Sequence, residues 1–277
     1  MILETYKPQN EILRKYIDCF YTLKRTDDEP GITYLGFPSN TVFLTLCKNA
    51  RVTGYGDVLN VSACANEDIE SVLIIDTKKQ APCIYTGACD EITIYFKPLG
   101  INRFLKEPLF KYLTGCISNF SPYEDYQSSL RTIFQGLDDQ SRLFLLEEYL
   151  LSKLTDFRHP FLDEALHMIL NDTLYPIKIN DIARFCKKSR TTLHKEFLKH
   201  LGTNPHQFLK IERFRNAVKM FTSNATKEQL VDIVYMAEYF DQSHMAKDFK
   251  SLTGYTPKHF FSKLSKMKNG TINWIFS

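Results

Sequence analysis

Leu193-His194-Lys195-Glu196-Phe197 and Met245-Ala246-Lys247-Asp248-Phe249 are one pattern written twice, 52 positions apart. At that offset Gly202 falls on Gly254, Pro205 on Pro257 and Phe208 on Phe260. A helix start recurs as well, Asp181-Ile182-Ala183 and Asp232-Ile233-Val234, at an offset of 51. A period near fifty can mark a solenoid or a propeller, but two helical copies make a pair rather than an array. In the first copy Asn180 or Asp181 is expected to cap a short helix through Phe185, with Lys187-Lys188-Ser189 as a polar turn. Ser189 then caps a helix from Arg190 to His200 that turns Leu193, Phe197 and Leu201 inward and stops at Gly202. In the second copy the first helix is expected from Lys227 to Glu238, and Tyr239-Phe240-Asp241 is the turn. Asp241 caps Gln242 to Leu252, with Met245, Phe249 and Leu252 inward and Gly254 at the end.

A short helix, a tight turn and a second helix with one apolar stripe make a helix-turn-helix, whose second helix enters the DNA major groove. Between the copies, Asn204 to Phe221 reads as one amphipathic helix (Phe208, Ile211, Phe214, Val218, Phe221) that fixes the two units. Held on one face of a duplex, the two recognition helices are expected about 34 Å apart, one turn of DNA.

The residues from Ile179 to Phe261 resemble the paired helix-turn-helix module of the AraC/XylS transcription regulators. The likeness rests on the Asp-Ile-Ala helix start, the Gly-x-x-Pro after the first recognition helix, and the run Tyr239-Phe240-Asp241-Gln242-Ser243-His244-Met245. That run is similar to the family's Gly-Phe-x-Asp-Gln-Ser-His-Phe, and Phe249-Lys250, Gly254 and Thr256-Pro257 follow it in order. Tyr239 is read as standing where the family has Gly, and Lys195 and Lys247 where it often has Arg. The resemblance implies a sequence-specific DNA-binding regulator whose partners are double-stranded DNA and RNA polymerase.

Charge divides the chain in the same place. Residues 157–277 carry 19 Lys and Arg against 11 Asp and Glu, whereas the rest carries 16 against 21. A basic helical half is the electrostatic footprint of a phosphate-backbone binder. With 277 residues, 44% of them apolar, the chain fits two domains. These are expected at 1–156 and 157–277, the fold class being α+β, with Asp156-Phe157-Arg158-His159-Pro160 as the boundary. Phe161 to Leu170 is then the first helix of the second domain.

The first hundred residues read as β-rich. Ile17–Lys24, Thr33–Phe37, Thr41–Leu46, Ser71–Asp76, Pro82–Thr86 and Glu91–Phe96 are short β-branched and aromatic runs punctuated by Gly, Pro and Asn. They suggest a small barrel or a two-sheet sandwich. Helical pattern follows in Gly100–Leu105 and Leu109–Leu113, then a loop through Ser118-Asn119-Phe120-Ser121-Pro122, then helices Tyr123–Phe134 and Ser141–Leu154. Leu143 to Leu146, with Tyr149, Leu150, Leu151 and Leu154, is apolar on more than one face. Packing on the β-domain and a dimer seam remain open for it. Tyr6-Lys7-Pro8 and Ile94-Tyr95-Phe96-Lys97-Pro98 are similar to the family's sensor domains, which are often cupin-like. By analogy the N-terminal half senses a small-molecule effector or pairs subunits as a homodimer. Phe20, Tyr21, Tyr34, Phe37, Phe43 and Tyr85 are candidates for lining such a site, though core packing is the commoner use of aromatics at these spacings.

Other classes are disfavoured. The start, Met1-Ile2-Leu3-Glu4-Thr5-Tyr6, has no charged-then-apolar leader pattern, and no 18-residue apolar run exists. A cytoplasmic protein without a membrane span is expected. Seven cysteines without a C-x-x-C do not read as a disulfide framework or a zinc site, so reduced, buried thiols are expected. All seven histidines lie at or after position 159, which denies the β-rich half the imidazoles of a cupin metal centre. Satisfied or surface histidines are the reading for the helical half. A Cys-based alkyl-transfer function needs a zinc-bound cysteine cluster, and Cys83 and Cys89 have no partner pair. Neither a Gly-rich phosphate loop nor a nucleophile elbow is present, so no catalytic role, cofactor or metal is expected.

For base contact the candidates are Arg190, Thr191, His194 and Lys195 in the first copy, and Gln242, Ser243, His244 and Lys247 in the second. Arg190 or Lys195 suits guanine O6/N7, Gln242 suits adenine and Thr191 a thymine methyl. Ser189, Lys199 and Lys250 suit phosphates. Leu193, Phe197, Met245 and Phe249 are core.

Overall fold

The computed structural model describes residues 1–55, 58–65, 68–75, 81–171, 177–223, 237, 239–266 and 273–276. They fall into two compact units. The first comprises Met1–Tyr34, Thr41–Ile75 and Ala81–Phe157; the second includes Leu35–Asn40 and the chain from Arg158.

The first unit is built on β1 (Ile2–Tyr6), β2 (Ile17–Arg25), β3 (Ile32–Gly36), β4 (Val42–Lys48), β5 (Ala50–Tyr55), β6 (Val58–Ala63), β7 (Glu70–Ile75), β8 (Ala81–Thr86), β9 (Cys89–Phe96) and β10 (Ile117–Asn119). One sheet runs β1-β2-β9-β4-β7-β10, and a second contains β3-β8-β6-β5, with β6 and β8 parallel. Of the two architectures the sequence left open, the two-sheet arrangement is the one present. The strands at Ile2–Tyr6, Ala50–Tyr55 and Val58–Ala63 had no strong apolar alternation to announce them.

Register explains why the central strands look apolar almost throughout. Phe20, Ile94, Leu44 and Leu73 stand side by side across β2, β9, β4 and β7. They belong to the core that also holds Leu130 and Ile133 of α1 (Tyr126–Ile133) and Leu143, Leu146 and Leu150 of α2 (Asp139–Ser152). The neighbouring positions Tyr21, Thr93, Thr45 and Val72 point the other way, and all four are buried as well. A strand covered on both faces carries a near-continuous buried run.

Alpha-helix α2 therefore packs on the β-structure through one face, while Phe144 on its other side is 58% exposed. Asp138 caps α2 by accepting from the Ser141 N–H at 2.8 Å, so the helix starts earlier than the apolar pattern does. Two expected helices, after Gly100 and after Leu109, are short 3-10 turns, Gly100–Phe104 and Leu109–Tyr112. The expected loop through Ser118 is corrected too. Ile117–Asn119 is a strand, because Ser118 lies opposite Leu73 and completes the edge of β7.

The second unit holds α3 (Leu162–Asn171), α4 (Ile179–Phe185), α5 (Arg190–Leu201), α6 (Pro205–Ser223), α7 (Gln242–Thr253) and α8 (Pro257–Lys263), with a two-stranded ribbon of β11 (Ser265–Lys266) and β12 (Asn273–Phe276). Its core gathers Ile211, Phe214 and Val218 of α6, Met245, Phe249 and Leu252 of α7, and Phe260 and Phe261 of α8. Phe37 completes that core, 4.9 Å from the Phe260 ring and 6.4 Å from Phe214. The Arg215 guanidinium donates to the Phe37 and Pro38 carbonyls at 2.9 and 2.8 Å. Phe37, expected among the aromatics of the β-rich half, thus belongs to the helical unit's core. The helix expected from Lys227 to Glu238 lies outside the described residues except for Ala237, which is buried. Among the described residues, no helix is long and apolar enough to cross a membrane.

Candidate DNA-binding surface

Each recognition helix is set by a cap at its start and a glycine at its end. Ser189 Oγ accepts from the Thr192 N–H at 3.0 Å, and Asp241 Oδ1 accepts from the His244 N–H at 2.7 Å. Each cap satisfies an N–H that the helix leaves unpaired. Gly202 and Gly254 close the helices at φ of 69° and 77°, the left-handed geometry that a Cβ disfavours. The first helix of the first copy departs from expectation. Alpha-helix α4 begins at Ile179, and Asp181 sits in its first turn, where its carboxylate accepts from the Lys178 N–H at 3.3 Å instead of capping the helix from outside.

These termini fix which faces the helices show. In α5, Leu193 and Phe197 are fully buried, and Arg190, Thr191, His194 and Lys195 are exposed. In α7, Met245, Phe249 and Leu252 are buried, and Gln242, Ser243, Lys247 and Lys250 are exposed. Lys199 and His244 are half-buried. His244 turns its ring edge toward Tyr239 at 5.4 Å and brings Nε2 to 3.7 Å from Asp248. Ser189 remains exposed, but its oxygen is occupied by the cap and by Thr192 Oγ1 at 2.9 Å.

The acids of the two helices are tied inward, which leaves the cations outward. Glu196 lies 3.2 Å from His159 Nε2 and 3.5 Å from His200 Nε2. Asp248 pairs with Arg213 of α6 at 3.1 Å, and that guanidinium lies over the Tyr239 ring. Burial acts to raise the Glu196 carboxyl, yet the His159 hydrogen bond, with Lys199 and both imidazoles nearby, holds it below the ordinary carboxylate range. Exposed Arg184, Lys187 and Lys188 add to the basic surface of the first copy. They were legible as charges but not as members of the face, since their turn is shaped by the positive φ of Lys187.

The His159–Glu196–His200 cluster also has the spacing of a metal site, its ligand atoms all within 4.8 Å of one another. The hydrogen bonding speaks for a brace instead. His159 Nδ1 accepts from the Leu162 N–H at 3.0 Å, which leaves the ring proton on Nε2, pointed at Glu196. Sequence reading missed this brace because His159 is remote from α5 along the chain.

Tyr239 requires a further correction. It is 2% exposed and packs on Phe249 and His244, while Phe240 is 82% exposed. Counting back from the capping Asp241, Tyr239 aligns with the Phe of the family's run and Glu238 with its Gly.

Two capped helices, α5 and α7, with cationic outer faces mark the second unit as a candidate DNA-binding module. Residues 182–263 match a family model described as a helix-turn-helix domain. The resemblance to AraC-type regulators drawn from the repeat is in this way borne out for the C-terminal part. No curated protein sequence matches the chain. Among solved structures, ToxT from Vibrio cholerae is similar at 10% identity and a TM-score of 0.48, covering 95% of this chain and 98% of that one. An unsaturated fatty acid-bound form of wild-type ToxT is similar at 13% identity and a TM-score of 0.44, covering 94% of each. The C-terminal domain of AraT, a response regulator from Geobacillus stearothermophilus, is similar at 18% identity and a TM-score of 0.35, covering 40% of this chain and 90% of that one.

Proposed function

We propose that the chain is a sequence-specific DNA-binding transcription regulator of the AraC type, in which α5 and α7 each read base edges in the major groove. The observation that carries this reading is the sorting of charge on both helices. Acids are bonded inward to His159, His200 and Arg213, and Arg190, Lys195, Lys247 and Lys250 are left facing solvent. Arg190, Thr191, His194, Lys195, Gln242, Ser243 and Lys247 are assigned to bases, and Ser189, Lys199 and Lys250 to phosphates. His244 is the weakest of the base candidates, because its ring is engaged with Tyr239 and Asp248. A DNA-binding domain over 157–277 and a sensor or dimerisation domain over 1–156 complete the proposal, with double-stranded DNA and RNA polymerase as partners.

Selection of bound sequences from a random duplex pool by the purified chain tests it. A motif with two segments about ten base pairs apart is expected if both helices engage. A single short segment would confine recognition to one helix, and no enrichment at low salt would remove the reading.

The N-terminal unit has two candidate roles, effector sensing and pairing of subunits. Exposed Phe144 on α2 favours pairing as the second reading. Sedimentation of the full chain separates them: a monomer at all concentrations leaves sensing.

A further inference from the structure

Beta-strands β4 and β9 are antiparallel neighbours, and Cys47 lies directly opposite Glu91. Cys89, two residues before Glu91 on β9, points to the same face by the two-residue period of a strand. Register alone therefore collects two thiols and a carboxylate. Their sulfur and oxygen atoms all lie within 4.8 Å of one another, and the three residues are 0%, 4% and 0% exposed.

The surroundings of Glu91 are unusual for a buried acid. Tyr21 and Thr93 hydroxyls donate to Oε1, the latter at 2.8 Å. The Tyr85 hydroxyl donates to Oε2 at 2.7 Å, and the Cys47 thiol reaches the same oxygen at 3.8 Å. Burial raises the Glu91 carboxyl above the ordinary carboxylate range, against the pull of the Tyr21, Tyr85, Thr93 and Cys47 donors. Once deprotonated, two thiolates and a carboxylate oxygen this close together make a donor set for a soft divalent cation.

We propose that Cys47, Cys89 and Glu91 form a binding site for a thiophilic divalent cation of the zinc class. On binding, both thiols and any protonated Glu91 carboxyl release their protons to solvent, two metal–sulfur bonds form, and Glu91 Oε2 exchanges the Cys47 S–H contact for a metal–oxygen bond. Tyr21 and Thr93 keep Oε1 fixed, the outer hydrogen bonding that orients a ligating carboxylate. Three protein ligands leave one tetrahedral position for a small ligand from solvent. Thiolate with carboxylate selects zinc-like ions over calcium or magnesium, which prefer all-oxygen shells. Cys89 opens β9 directly after the turn at Gly87-Ala88, so the cluster lies near the end of its strand pair. The site is independent of the DNA-binding reading.

The test uses the full-length chain, reduced and stripped with a chelator, then titrated with cobalt(II). A sulfur-to-cobalt charge-transfer band that saturates at a single equivalent, and that zinc(II) abolishes, is expected. Cys116→Ser, which alters an exposed thiol, should leave the band intact. The double variant Cys47→Ser/Cys89→Ser should lose it, and Glu91→Gln should weaken binding by about tenfold or more. Should the double variant fail to fold, alkylation of the native chain in mild denaturant decides instead. Zinc is expected to slow modification of Cys47 and Cys89 and to leave Cys64 and Cys116 unchanged. No band with the native chain, a band that survives in the folded double variant, or equal alkylation with and without zinc overturns the site.

Discussion

His200 is the residue whose chemistry most directly ties the recognition helix to its surroundings. Burial, with His159 and Lys199 beside it, pushes its imidazole down to about 4, against the upward pull of Glu196. A group whose folded value is depressed contributes stability above its unfolded value and loses it as pH falls toward the folded one. The helical unit is expected to weaken between about pH 6.5 and about pH 4, where the unfolded chain takes a proton that the fold refuses. Denaturant midpoints across that range should show the slope in the native chain and a flatter one in His200→Gln. Gly254 offers a second residue-scale case. A Cβ there meets nothing within 4 Å, so Gly254→Ala should cost only the left-handed backbone term, about 1 kcal/mol in a urea titration. Gly100 differs, since a Cβ there would sit 2.1 Å from the Tyr16 carbonyl oxygen, and backbone would have to move.

At the level of elements, the caps and stripes of α5 and α7 are legible in the sequence, because helix ends are decided by residues adjacent in sequence. Asp241→Ala should lower stability by about 1 kcal/mol, read as a shift in denaturant midpoint without loss of fold. Lys195→Ala should cost about 1–3 kcal/mol at one base pair and relax preference there if the ammonium reads a base. A uniform loss across sequences, with a smaller salt slope, would reassign it to phosphate; unchanged binding would remove it from the surface. What the elements hid was their partners. The loop expected through Ser118 became β10 because β7 offered an unpaired edge, and the inward binding of Glu196 and Asp248 depended on His159 and Arg213, far away in the chain.

Across the whole molecule, the helical unit draws part of its core from the segment between β3 and β4. Phe37 is 3% exposed and stands among Phe214 and Phe260, so Phe37→Ala should cost about 3–5 kcal/mol. A fragment beginning at residue 158 lacks that ring and the carbonyls that Arg215 binds. Its thermal transition should lie below that of the same unit in the full chain, as calorimetry of both would show.

Sequence by itself determined the paired helices α5 and α7, their caps, their stopping glycines, their inward stripes and the basic bias of their half. All of these are local or periodic properties, written within a few turns of chain. Tertiary structure alone decided that Phe37 serves the helical core, that Tyr239 is buried and Phe240 exposed, and that Cys47, Cys89 and Glu91 share one face of a strand pair. Those outcomes rest on register and long-range packing, where the free energy comes from residues that the chain order keeps apart.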